Sequence, residues 1–457
     1  MSTTEQLLAV TPLDGRYSDK MSSLSPIVSE YGLIQKRVQV EIGWLTTLGS
    51  GVLPDVPELG DIAIDHLSGI AEGFSVNEAV EIKAIENETK HDVNAVIRWV
   101  TEQLTGDETF SRYLELIHFG ATSEDINNLS YALMIQEARD KVTIPGIEGM
   151  RKDLGKKAED YASMPLLSRT HGQPASPTTM GKEMRVFEER LSRSTHAIGN
   201  VVIYGKFNGA TGNFNAMVAA YPDVNWQEVT SGFIKSLGLA VNPVTTQIEP
   251  HDWIARFSNE VALANTIGID ISRDIWQYIS EGYFTQQVVA GEVGSSTMPH
   301  KVNPINFENA EGNFGLANAL LTHLASKLPI SRLQRDLSDS TALRAIGPAL
   351  GHTKVAHDSL GVGLSKISPN PEKMDSALEG EWSVLTEAVQ TVMRRFGIKG
   401  SYDAIKAVSR GKAIDREGYL ELVNSINELP DEARATLLQL TPQKYTGYAR
   451  DIAATSQ

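Results

Sequence analysis

Residues 291–313 read GEVGSSTMPHKVNPINFENAEGN. Gly291, Gly294, Ser295, Ser296 and Thr297 are small, and three of them carry hydroxyls; Pro299, His300, Lys301 and Asn303-Pro304 follow. Such a stretch cannot fill a core, yet it lies between two apolar, helix-like segments. Asn303-Pro304 has the form of an N-cap followed by a first-turn proline. Free backbone N–H groups at a helix start favour an anion, and Lys301 adds a full positive charge beside them. A carboxylate or an enolate-like oxyanion suits that pocket. A hydroxyl on a glycine-loosened loop next to it points to proton transfer at a carbon beside a carboxylate. The alternative is a plain helix cap behind a Gly/Ser loop.

A second candidate is His171, framed in Ser168-Arg169-Thr170-His171-Gly172-Gln173-Pro174. A histidine in a Gly/Pro-framed turn is more exposed than a core histidine. Its reference pKa near ~6.5 suits general acid–base work, although a surface-turn histidine would look the same. His91-Asp92 falls inside a helix pattern with Glu86, Glu88, Lys90 and Asn94 around it, which also fits a solvated helical face. Further polar interruptions are 118–123, 205–213 and 246–252. His66, His196, His323, His352 and His357 have no such context. Several familiar sites are excluded. G-x-x-x-x-G-K-[ST] fails at Pro299, no H-E-x-x-H or G-x-S-x-G occurs, and the glycines of 205–212 do not form a dinucleotide fingerprint. His352 and His357 are five apart, the wrong spacing for ligands on one helical face.

The elements that must position these residues read as helical. Ser25-Pro26 resembles a helix start, followed by Ile27, Tyr31, Ile34, Val38, Ile42 and Leu45 at helical spacing. Ser75-Val76-Asn77-Glu78 is a capping box opening a helix to about Leu104, and Thr122-Ser123-Glu124-Asp125 is an acidic helix start. Pro145 predicts a kink or break. Long helices are expected from about Thr178 to Ile203, Pro250 to Ile279, Asn303 to Ser326 and Ser340 to Ile367. Strand-like alternation is weak, as around Val241 to Ile248. Ser368-Pro369-Asn370-Pro371 interrupts the pattern and predicts a C-terminal helical domain. The expectation is therefore an all-α protein with a central long-helix bundle and three domains: 1–111, 112–367 and 368–457.

Composition narrows the function classes. The chain has 457 residues, 41% hydrophobic and 21% charged, with ample core for more than one domain. It has no cysteine, so disulfides, thiol nucleophiles and Cys-ligated metals are out. A formal net charge of −16 with no Lys/Arg run argues against nucleic acid and anionic membranes, so an anionic substrate would need a locally positive site. No apolar run approaches a membrane span. The stretch MSTTEQLLAVTPLDGRYSDK lacks the charge and apolar pattern of a secretion signal, and a cytoplasmic location is expected.

Taken together, Gly294-Ser295-Ser296-Thr297-Met298-Pro299-His300-Lys301-Val302-Asn303-Pro304 matches the GSSxMPxKxNP loop, and the chain resembles the fumarase/aspartase superfamily over nearly its whole length. Within it, His300, the SRTHGQP segment 168–174, His91-Asp92, Thr122 to Asn127 and Asp14-Gly15-Arg16-Tyr17 make it most similar to the adenylosuccinate lyase family, in its long bacterial branch. The resemblance implies β-elimination of fumarate from adenylosuccinate, giving AMP, and from the succinyl-carboxamide ribotide of purine synthesis, with no cofactor and no metal. It implies Ser295 as general base and His171 as general acid, with Ser296, Lys301 and Asn303 holding the carboxyl group that becomes an aci-carboxylate. It places Thr122, Ser123 and Gln247 at the succinyl part, with His91, Asp92 and Asn309 nearby. Arg16, Tyr17, Arg335, Ser340 and Arg344 fall on the nucleotide side. Asp336 and Asp339 could equally neutralise those arginines within an ordinary loop. Lys90 stands where closely similar members often have Asn, which alters any side-chain amide contact there. The resemblance also implies a homotetramer whose sites take loops from three subunits. Two other readings stay open: another fumarate-releasing lyase, such as one acting on argininosuccinate, and a catalytically idle helical scaffold.

Overall fold

The computed structural model describes residues 3–287, 298, 300–401, 403, 405–406 and 414–455. The chain is mostly helical, and among the described residues the strands form three two-stranded pairs. It divides into two compact units. One comprises Met1–Gly146, Ser194–Thr266 and Gly312–Ala356; the other comprises Ile147–Arg193, Ile267–Glu311 and His357–Gln457. The crossings fall inside helices, among them Met180–Gly199, Asp252–Ser280, Ile305–Lys327 and Ile346–Ser365. These are the long helices expected from the sequence, shifted at their ends by a few residues. The longest has 29 residues, roughly 43 Å at ~1.5 Å per residue.

In the first unit, the Glu30–Gly49 helix starts at Ser29, whose hydroxyl accepts from the Gly32 N–H at 3.3 Å. Ser25-Pro26 opens only the short turn Ser25–Val28. The long helix packs on Ser123–Ala138 and buries Trp44 against Phe207, Phe233 and Trp226. Trp44 donates its indole N–H to the Phe119 carbonyl at 2.9 Å, tying the 118–122 loop to this core. The capping boxes at Ser75/Glu78 and Thr122/Asp125 both form. The expected helix from Ser75 to Leu104, however, is two helices, Val76–Thr89 and Asp92–Leu104. Lys90 adopts the left-handed conformation (φ 56°) and ends the first, and His91 caps the second. Pro145 does not end its helix. A wide π-turn at Arg139–Thr143 precedes it and leads directly into Ile144–Asp160. Such a turn accommodates the ring and the missing N–H of a proline. Ser340 to Ile367 is also split, into Ser338–Leu343 and Ile346–Ser365.

The strongest polar anchor of this unit is Asp125. Its carboxylate meets Lys206 Nζ at 2.8 Å, with both side chains fully buried. Oδ1 also accepts from the Asn208 N–H at 3.0 Å, and Oδ2 from the Thr122 and Gly209 N–H groups at 2.9 and 3.1 Å. Gly212 keeps the same loop close to its neighbour. Its φ is +81°, and a Cβ there would lie 2.2 Å from the Thr245 carbonyl oxygen.

In the second unit, Pro165–Thr170 and Gln173–Thr179 form an antiparallel hairpin that the helical reading did not anticipate. Prolines 165, 174 and 177 and the short apolar run hide its alternation. Phe284–Gln286 pairs with Ile367–Pro369, and Asn370 then caps Pro371–Glu379. Beyond it, Leu378, Trp382, Leu385, Val389, Tyr419 and Val423 build a C-terminal core. Among the described residues no helix is long and apolar enough to cross a membrane.

Removing the Asp125 carboxylate would strand Lys206 and three N–H groups in the interior. Asp125→Ala is expected to cost ~3–5 kcal/mol of stability. Lys206→Met, which leaves Asp125 its three N–H donors, should cost less. Urea unfolding at fixed protein concentration checks both, and a loss under ~1 kcal/mol for Asp125→Ala would contradict the anchoring role.

Candidate functional site

The first unit carries eleven of the residues singled out in the sequence. Thr122 and Ser123 sit at the start of Ser123–Ala138, held by the capping box, with half-buried side chains. The next residue, Glu124, is buried and turns towards Arg335, whose Nη2 lies 3.0 Å from its Oε2. The same Nη2 is 3.8 Å from Asp339 Oδ1, and Nη1 donates to Gln247 Oε1 at 3.3 Å. Gln247 in turn donates to the Ala210 carbonyl at 2.9 Å. His251 Nε2 stands 3.6 Å from Asp339 Oδ2, and its backbone N–H donates to Glu249 at 2.8 Å. Asn242 holds the other Glu249 oxygen at 2.9 Å. The segments 122–125, 247–251 and 335–340 thus meet through one buried polar cluster.

Burial dominates the electrostatics of this cluster. It pushes Glu124 up to about 7 despite the opposing pull of Arg335 and His251. Glu249 is also raised, chiefly by burial. For Asp339, burial works the same way, but His251, Arg335 and the Ser340 N–H outweigh it and hold the carboxyl below its ordinary value. Glu124, His251 and Asp339 each offer one ligand atom, all within 4.8 Å of one another, a spacing that could hold a metal ion. The Arg335 guanidinium already supplies positive charge there, so the donor set is better matched to an arginine than to a divalent cation.

Ser340 and Arg344 come together directly: Arg344 Nη1 donates to the Ser340 hydroxyl at 3.0 Å and to its carbonyl at 2.7 Å. Asp339 accepts from the Ser340 N–H at 2.7 Å. Asp336 neutralises Arg332 at 3.0 Å rather than Arg335. His91 is exposed, its Nδ1 accepting from the Asn94 N–H at 3.2 Å. It is a cap between two helices, not a residue on a continuous helical face as the pattern suggested. Asp92 pairs with the buried Arg37 at 2.6 Å; burial alone would raise its carboxyl, but Arg37 holds it below the usual range. Arg37 also donates to Asn127 at 2.9 Å, joining the His91-Asp92 corner to the Ser123–Ala138 helix. Lys90 is exposed beside it. Arg16 is exposed and Tyr17 half-buried on an N-terminal segment whose Leu13 packs against Gly351.

The second unit carries the rest. His171 occupies the tip of the hairpin, where Thr170 pairs with Gln173 and leaves a two-residue loop. His171 and Gly172 both have positive φ, 54° and 75°, as a tight hairpin turn of this hand requires. Its ring is exposed and makes no hydrogen bond or ion pair among the described residues. Arg169 braces the turn through the Gly172 carbonyl at 3.4 Å and meets Glu281 at 3.5 Å. Lys301 is exposed, and Asn303 is half-buried before the Ile305–Lys327 helix. Asn309 accepts from Ser359 at 2.7 Å, so part of its amide serves the helix packing. Ser295 and Ser296 lie outside the described residues.

Sequence reasoning missed Glu124, Glu249, His251 and the Asp125–Lys206 pair as a connected set. It also gave no role to His118, whose Nδ1 lies 2.6 Å from the buried Glu41 and fixes the loop ahead of Thr122. Acidic pairs at a helix start and the run Glu249-Pro250-His251-Asp252 were the available signals.

The fold is shared with solved structures. It superposes on a 3-carboxy-cis,cis-muconate lactonizing enzyme from Pseudomonas putida with a TM-score of 0.73, at 20% identity over 94% of this chain and 95% of that one. A fumarate lyase from Mesorhizobium sp. BNC1 gives 0.74 at 18% identity, over 94% and 96%. The Lyase family matches residues 15–317, and the family described as adenylosuccinate lyase C-terminal matches 331–446. The adenylosuccinate lyase of Escherichia coli K12 is 49% identical over 97% of both chains, and that of Haemophilus influenzae 48% over 98% of both. The chain belongs to the adenylosuccinate lyase family.

The raised Glu124 makes a pH test possible. Its carboxyl ordinarily ionises at 4.5 and here at about 7, so the folded chain keeps a proton that the unfolded chain has lost. That contribution to stability is greatest below the lower value and is lost as pH rises through the upper one. Glu124→Gln should therefore show a flatter fall in stability between pH 5 and 7 than the parent. The difference has a ceiling of about 1.4 kcal/mol per pH unit. Unfolding midpoints measured across that interval decide it; parallel profiles would contradict the assignment.

Proposed function

We propose that the protein cleaves adenylosuccinate to AMP and fumarate by β-elimination, and cleaves the succinyl-carboxamide ribotide of purine synthesis in the same way. The carrying observation is the 49% identity to a bacterial adenylosuccinate lyase over 97% of each chain. The intact Gly294–Pro304 loop sequence supports the same reading. Ser295 removes the β-proton of the succinyl group. The electron pair left on that carbon is delocalised into the adjacent carboxylate, which Lys301, Asn303 and Ser296 hold. The pair then forms the carbon–carbon double bond of fumarate as the carbon–nitrogen bond breaks. His171 delivers a proton to the departing nitrogen. An exposed imidazole at the tip of a braced hairpin suits that task, since it is presented to an incoming ligand without being buried in its own unit. Each positioned proton-transfer group contributes about 10²–10⁴ in rate.

The substrate carries a phosphate and two carboxylates, and the chain as a whole is at −16. Arg335, Ser340 and Arg344 supply the phosphate end in this reading, and Arg16 and Tyr17 serve the nucleotide side. Thr122, Ser123 and Gln247 take the succinyl end, with Lys90, His91, Asp92 and Asn309 completing the surroundings. The chain is further proposed to work as a homotetramer with sites shared between subunits. Leu263 and Leu316 support this, since both are more than half exposed on helices that the Asn318–Thr266 hydrogen bond joins. Solution mass should be four times that of the single chain; a monomeric mass with full activity would rule the shared site out.

Fumarate release from adenylosuccinate is the direct test, with argininosuccinate as the control substrate. Ser295→Ala and His171→Ala should each lower kcat by at least ~10²-fold. Release that persists in Ser295→Ala would remove that residue as the base. Turnover of argininosuccinate alone would reassign the substrate, and turnover of neither would leave a helical scaffold.

A further inference from the structure

The phosphate end of the site has a feature that the assigned contacts do not use: Arg335 is gripped from behind. Its Nη2 faces Glu124 at 3.0 Å and Asp339 at 3.8 Å, and its Nη1 reaches Gln247 at 3.3 Å. Glu124 and Asp339 are each 2% exposed, and His251, also 2% exposed, stands against Asp339 at 3.6 Å. These groups come from three separate segments. Each segment also presents a residue proposed to bind substrate: Ser123 beside Glu124, Gln247 before Glu249, and Ser340 beside Asp339. Two carboxylates and an imidazole are expensive to bury.

We propose that Glu124, His251 and Asp339 are positioning residues that fix the Arg335 guanidinium and thereby make the site select a phosphorylated substrate over its phosphate-free nucleoside. The inference rests on the reading of Arg335 as a phosphate ligand. A free arginine side chain must give up rotamer freedom on binding, whereas one already held by carboxylates has met that cost in the fold. Two full negative charges would cancel the guanidinium that the phosphate must meet. Burial moderates this by driving Glu124 towards its neutral form, while Asp339 stays ionised. Lysine could not replace Arg335, because one ammonium cannot reach Gln247, Glu124 and Asp339 from the same position with the planar fork of a guanidinium.

The experiment compares kcat/KM for adenylosuccinate with that for its dephosphorylated nucleoside in the parent, Glu124→Gln, Asp339→Asn, Arg335→Lys and the Glu124→Gln/Arg335→Lys pair. Thermal midpoints establish that each variant is folded. Asp339→Asn stands in if Glu124→Gln does not fold. Asp339→Asn, which removes the ionised partner, is expected to lower the ratio of the two values by ~10-fold or more, and Glu124→Gln by less, both through KM for the nucleotide. The paired variant should lose little beyond Arg335→Lys alone, as for groups acting through one another. A purely structural role would depress both substrates alike and leave the ratio where it was. A ratio that falls in Arg335→Lys but holds in both Glu124→Gln and Asp339→Asn overturns the positioning proposal and keeps Arg335 as a phosphate ligand. A ratio that holds in Arg335→Lys overturns the phosphate reading, and the proposal with it.

Discussion

The buried carboxylate of Asp125 is the constraint on which the first unit's site depends. Four donors converge on its two oxygens: Lys206 Nζ and the N–H groups of Asn208, Gly209 and Thr122. One side chain thereby caps its own helix and fastens a distant loop to it. Three residues on, Asn128 repeats the device, accepting from the Lys206 N–H at 2.9 Å and donating to its carbonyl at 3.0 Å. Two consecutive helical turns grip the same short segment. In a low-dielectric interior such a fully satisfied network is stiff, because any displacement leaves a polar group without a partner. Thr122, Ser123 and Glu124 lie on the first turn of that helix, so their positions follow from the anchor.

The charge economy of the chain makes more sense from this vantage. At −16 overall, the protein has to create positive potential locally, and it does so by placing arginines where carboxylates already hold them. Arg37 pairs with Asp92, Arg335 with Glu124 and Asp339. At Arg37–Asp92 the arginine is the buried member, 3% exposed against 29% for Asp92, whereas at Arg335 the guanidinium is the more accessible one, with 13% of its side chain exposed against 2% for Glu124. An anion approaching Arg335 from solvent meets the cation first. An exposed pair such as Arg332–Asp336, with 81% of the arginine and 16% of the aspartate exposed, is screened by water instead.

How much of this could be read from the sequence depended on the range of the interaction. Capping boxes at Ser75 and Thr122 were legible because their signal lies within four residues. Long amphipathic helices were legible from their period. The break at Lys90 was not, because Lys carries no signature of the left-handed conformation and the apolar spacing continues across it. The Pro165–Thr179 hairpin was hidden by its prolines, and the Thr-His-Gly-Gln-Pro turn was recognised while the strands on either side were not. Contacts such as Glu124 with Arg335, or Lys206 with Asp125, span 211 and 81 positions. No local pattern encodes them; the residues became visible as candidates only one segment at a time.

The same backbone device recurs in both units. Among the described residues, the non-glycine positions with positive φ are Lys90, His118, His171, Phe214, His251 and Leu333. Each lies in or next to a loop that the sequence marks as polar and chemically suggestive. Such conformations cost on the order of 1–3 kcal/mol each and persist only where the surroundings over-determine them. The surroundings do so here by identifiable means: Glu41 holds His118, Glu249 holds the His251 backbone, and strand pairing closes the turn at His171. A helix or strand that ended in a relaxed loop would have needed none of these restraints. The fold therefore accepts local strain to aim side chains at the ends of rigid elements, and the polar groups buried behind the loops are the means by which it holds that aim.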